Sequence, residues 1–146
     1  MNTKEVFNYT NQHVLNRYKK DYPHNRLSAE DALAELTKYF WLCYQHRQAK
    51  KNNPDDLSLN FVCAMHEDMM EIDDMWHTFL LFTHDYHEFC QHYFGEYLHH
   101  VPTTEKNKPT VAEYERELTC YFSYIYDNLG EATLKKWFAK TLNEAA

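Results

Sequence analysis

The chain has 146 residues, 44% of them apolar, and a formal net charge of −7 with histidine neutral. That length and apolar share suit one helical domain spanning 1–146 with a real core. Only 2 Gly and 4 Pro leave few residues for the positive-φ turns of hairpins, which argues against a multi-stranded β architecture, and the negative balance argues against nucleic acid as a partner.

The N-terminus MNTKEVFNYTNQ lacks an apolar leader, and no run of about 18 apolar residues occurs anywhere, so a cytoplasmic protein without a membrane span is expected. A first amphipathic helix is predicted from about Lys4 to Tyr22, with Val6, Val14, Leu15 and Tyr18 inward and Pro23 near its end. Ser28 opens a second, where SAED has capping-box spacing. Leu33, Leu36, Phe40, Trp41 and Tyr44 carry that helix inward, and it ends in KKNNPDD. The short basic runs RYKK (17–20) and RQAKKN (47–52) read as solvated helix ends.

LSLNFVCAM (57–65) suits a helix, a loop packed on the core or a lone strand, because period does not assign so short an apolar run. Helices are then predicted from about Met70 to Phe82 and from Thr83 to Phe94, with Thr83 capping the second and Gly95 ending it in the left-handed conformation. A turn stiffened by Pro102 and a polar loop to Pro109 follow. TVAE (110–113) repeats the capping-box spacing and opens a helix to about Asp127; Gly130 separates it from a last helix, about Glu131 to Asn143. The expected fold is a compact all-α bundle of five or six helices.

Cys43, Cys63, Cys90 and Cys120 are expected as thiols in the cytoplasm, and none forms a CxxC pair. Cys43 and Cys120 lie in aromatic helical runs, where free cysteine is usually a small buried hydrophobe. Six of the ten histidines fall in residues 73–102. Asp73 and His77 are one helical turn apart, so both bind one ion or Asp73 orients the His77 ring. Cys90, three after His87 on the next helix, and His99 or His100 in the following turn complete a candidate set. Nitrogen, thiolate and carboxylate donors suit zinc, with iron as the alternative, better than calcium or magnesium. The competing reading makes His77 and Cys90 core residues, and puts His84, His87 and His92 on a solvated face. Asp68, Glu71 and Asp74 are read as surface charges.

IDDMWHTFLLFTHDYHEFCQHYFGEYLHHVP (72–102) resembles a segment of the bacterial members of the glycine-rich domain-containing protein-like family: an acid, a WH pair, an aliphatic run, then T, Y, FC, G and HH with P. These fall on Asp73, Trp76, His77, Thr83, Tyr86, Phe89, Cys90, Gly95, His99, His100 and Pro102. LAELTKYFWLCYQ (33–45) and YERELTCYFSYIYDNLGEATLKKWF (114–138) are similar to its flanking helices, although this chain lacks any glycine-rich region. The resemblance implies a core domain over about 28–138 and strengthens the metal reading, with His77, Cys90, His99 and Asp73 as ligands and His100 as the alternative to His99; it implies no established activity. The second functional reading is a helical adaptor or inhibitor that binds a protein partner through its acidic surface. Exposure of Tyr121, Tyr124 and Trp137 would favour that reading.

Overall fold

A computed structural model of the chain describes residues 3–101 and 110–145. Among them the regular structure is all-α, as composition predicted: α1 (Gln12–Asp21), α2 (Ala29–Asn52), α3 (Met70–Leu80), α4 (Thr83–Phe94), α5 (Val111–Leu129), α6 (Glu131–Trp137) and α7 (Ala139–Ala145), with 3-10 turns at Thr3–Asn8, Leu57–Leu59 and Glu67–Met69. Among the described residues no helix is long and apolar enough to cross a membrane. Pro102 and the loop to Pro109 lie outside the described residues.

Local chemistry sets most boundaries. The first predicted helix is broken in two because Asn11 stops the turn that precedes it and caps α1. Its side-chain oxygen accepts from the backbone N–H groups of His13 (3.1 Å) and Val14 (3.3 Å), while its amide donates to Asp85 Oδ2 and to the Tyr9 hydroxyl, both at 3.0 Å. At the start of α2, Ser28 Oγ accepts from the Asp31 N–H at 3.1 Å, as its spacing predicts. Both halves of the Thr110–Glu113 capping box form at the start of α5. Gly95 ends α4 at φ 70°. Thr83 is the first residue of α4 and Phe82 its cap, one position off the prediction. The last predicted helix is two, α6 and α7, interrupted at Phe138, whose φ of −127° leaves the helical region.

Packing divides the chain into two units, Met1–Trp41 with Met65–Leu98, and Leu42–Ala64 with His99–Ala146. The first unit is built on aromatic rings. Phe40 of α2, Trp76 and Phe79 of α3, and Tyr86 and Phe89 of α4 are all buried. They meet edge-on or tilted, Phe40–Trp76 at 5.1 Å, Phe79–Tyr86 at 5.0 Å and Phe79–Phe89 at 5.1 Å between centroids, the geometry their quadrupoles favour. Val14, Leu15 and Tyr18 of α1 close the same core. Two carboxylates read as surface charges have structural work here. Glu71 accepts the backbone N–H groups of Arg26 (3.0 Å) and Leu27 (2.8 Å), and Asp74 accepts from the Asn25 amide at 3.0 Å. Together they tie the connection before α2 to α3.

The second unit packs the C-terminal part of α2 with residues 57–64 and α5 to α7. LSLNFVCAM resolves as a 3-10 turn followed by irregular chain, held because Leu59 and Phe61 are buried. Phe61 stacks on His46 (4.0 Å) and on Tyr121 (5.5 Å), and Tyr121 meets Phe138 edge-on at 5.9 Å. Gly130 joins α5 to α6 at φ 91° and ψ 168°, a conformation open essentially to glycine alone.

Candidate functional site

α3 presents two faces. Ile72, Met75, Trp76, Thr78 and Phe79 are buried, and the turn-apart pair Asp73 and His77 stays outside that core. Asp73 Oδ2 lies 3.6 Å from His77 Nε2, with the side chains 25% and 50% exposed respectively. His77 is therefore no core histidine. The carboxylate sits where it can share an ion with the ring or hold the ring in one orientation.

Cys90 takes the other course. It is 0% exposed, and no group of three potential metal donors found among the described residues contains it. Burial pushes its thiol up, while its hydrogen-bond contacts with the Leu98 backbone and the Tyr86 hydroxyl oppose that shift. It belongs to a buried chain of hydrogen bonds: Trp76 Nε1–H donates to the Tyr86 hydroxyl at 3.0 Å, and that hydroxyl donates to the Leu98 carbonyl. Burial drives the Tyr86 phenol strongly up, with Cys90 adding to it. The network fixes Leu98, the residue that directly precedes His99 and His100. His99 is exposed and His100 half-buried, and both belong to the second unit. Sequence reasoning took Trp76, Tyr86 and Cys90 as a motif. It did not find that they form one hydrogen-bonded brace.

His84, His87 and His92 lie on the solvated face of α4, as predicted. His84, Asp85 and Glu88 form a group of potential donors, their ligand atoms within 4.8 Å of one another. The His84 side chain is 83% exposed there, and pairs of that kind on a helix surface are common without a ligand.

Two features of the second unit were not visible in sequence. His46 is buried, with Nε2 2.9 Å from the Leu59 carbonyl. Cys43 and Cys63 place their sulfurs 2.6 Å apart, although twenty residues separate them. Burial holds the His46 imidazole below its ordinary 6.5, and the Leu59 hydrogen bond works against this. The unfolded chain then binds its proton first as pH falls, so the His46 contribution to stability is complete above about 6.5 and is lost as pH drops toward the depressed folded value. An NMR titration is expected to place the His46 midpoint below 6.5. His46→Gln, which keeps a donor for Leu59, is expected to flatten the loss of Tm between pH 7 and 5; an unchanged slope would contradict the assignment.

A family model described as UCP032817-like matches residues 3–131, and the chain belongs to that family. The match overturns the resemblance to the glycine-rich domain-containing protein-like family, which rested on short residue types in 72–102 and on weaker likeness outside them. No curated protein and no solved structure matches the chain.

Proposed function

For this member of the UCP032817-like family, we propose a small helical protein that binds a late first-row transition-metal ion, zinc first and iron as the alternative, through Asp73 and His77. The observation that carries the reading is the 3.6 Å approach of Asp73 and His77 on an exposed turn of α3, one oxygen and one nitrogen donor of the kind zinc accepts. Cys90 lies in the buried network that holds Trp76, the residue before His77, and its full burial supports a packing role over ligation. An ion with an open coordination position would lower the pKa of a bound water and make hydrolysis accessible.

The adaptor reading gains less support. Tyr121 and Trp137 are 1% and 0% exposed, so two of the three rings that would have formed an aromatic docking face belong to the core instead.

Metal binding to the folded state alone raises stability. Added zinc is expected to raise the Tm of the wild-type protein, and His77→Ala and Asp73→Asn are expected to abolish that rise while leaving the Tm in chelator unchanged. A zinc response preserved in His77→Ala would overturn the reading.

A further inference from the structure

We propose that Cys43 and Cys63 form a reversible intramolecular disulfide on reaction with hydroperoxides, making the second unit a thiol oxidation site. Their Sγ atoms are 2.6 Å apart, so bonding requires only a short further approach to the roughly 2.05 Å of a disulfide. The Cys43 sulfur also faces the Cys63 carbonyl at 3.6 Å. Both residues are partly exposed, whereas Cys90 is sealed in the other unit's core.

The surroundings hold the pair in register. Cys43 is fixed on α2. The irregular segment that carries Cys63 is fixed at three points: the His46 contact to the Leu59 carbonyl at 2.9 Å, the Phe61 ring stacked on His46, and the Tyr121 hydroxyl donating to the Ala64 carbonyl at 2.9 Å. That hydroxyl stands 3.9 Å from Cys63 Sγ. Such fixation gives the second thiol a high effective concentration at the first. Although Cys63 as a residue is only half-buried, its sulfur is enclosed, and that burial, with Cys43 alongside, pushes the thiol up against the opposing influence of Tyr121 and Arg47. Flanked by Cys43 on one side and the Tyr121 hydroxyl on the other, Cys63 Sγ is assigned as the resolving sulfur and Cys43 as the one that meets the oxidant.

The chemistry balances. The Cys43 thiolate attacks one peroxide oxygen and the O–O bond breaks, giving a sulfenic acid and, with proton uptake, one water. The Cys63 sulfur then attacks the sulfenic sulfur; the S–S bond forms, the S–O bond breaks, and the hydroxide leaves with the thiol proton as a second water. Two thiols lose two electrons in total and hydrogen peroxide gains them. An external dithiol reverses the bond by exchange.

The test is peptide mapping by mass spectrometry after brief exposure of the full chain to hydrogen peroxide and alkylation of the remaining thiols in denaturant. The expected result is a Cys43–Cys63 cross-linked peptide, two fewer alkylated cysteines than in reduced protein, and full recovery with dithiothreitol. Cys63→Ser is expected to leave a sulfenic acid on Cys43 that dimedone traps. Four alkylated cysteines after peroxide treatment, or a bridge to Cys120, would overturn the proposal. So would a bound metal equivalent that survives in His77→Ala and is lost in Cys63→Ser. Should Cys63→Ser fail to fold, the wild-type map decides alone.

Discussion

Phe79→Ala is expected to lower the free energy of unfolding by about 3–5 kcal/mol, the range for emptying a phenylalanine site in a core. Phe79 is 0% exposed. It stacks on Tyr9 at 5.7 Å and meets Tyr86 and Phe89 edge-on at 5.0 and 5.1 Å, so three rings lose contact at once. Rings are stiff and cannot collapse into the void as aliphatic chains can, which places the cost toward the upper part of that range. Phe79→Leu, which refills most of the volume, is expected to cost under about 1.5 kcal/mol. Urea unfolding measures both; a loss below about 1 kcal/mol for the alanine variant would mean that the aromatic cluster is not the core of the first unit.

Tyr86→Phe isolates the hydrogen-bonded brace, because it removes one oxygen and keeps the ring. Trp76 Nε1–H then loses its acceptor and the Leu98 carbonyl its donor, both in buried surroundings. A buried polar group that loses its partner costs about 1–3 kcal/mol, and a loss in that range is expected. Trp76 immediately precedes His77, so the same variant is expected to weaken the zinc response although residue 86 binds no ion. A stability loss with an unaltered zinc response would separate the brace from the site.

The readable part of the fold was local. Helix faces, the Thr110–Glu113 box, the Ser28 cap and the Gly95 terminus all depend on residues within four positions of one another, and each formed as expected. Asp73 and His77 were paired for the same reason, since one helical turn fixes their distance whatever surrounds them. What spacing left open was the direction in which a face points. His77 and Cys90 could equally have been core or ligand; α3 turns His77 outward, and α4 turns Cys90 inward beneath Tyr86. Contacts across long loops were invisible: the Cys43–Cys63 approach depends on how residues 57–64 leave their 3-10 turn, and Glu71 earns its role only when the chain at Arg26 returns to α3. The interruption at Phe138 and the split at Asn11 were missed because apolar periodicity continues across both.

The proposed function rests on a metal ion held at Asp73 and His77. Elemental mass spectrometry of the purified, untagged protein, compared with its His77→Ala variant at equal concentration, tests it most directly. About one equivalent of zinc or iron is expected in the wild type, on the single-ion stoichiometry of a structural or catalytic site, and its loss is expected in the variant. Absence of metal after expression in zinc- and iron-supplemented medium, or equal metal in both proteins, would contradict it.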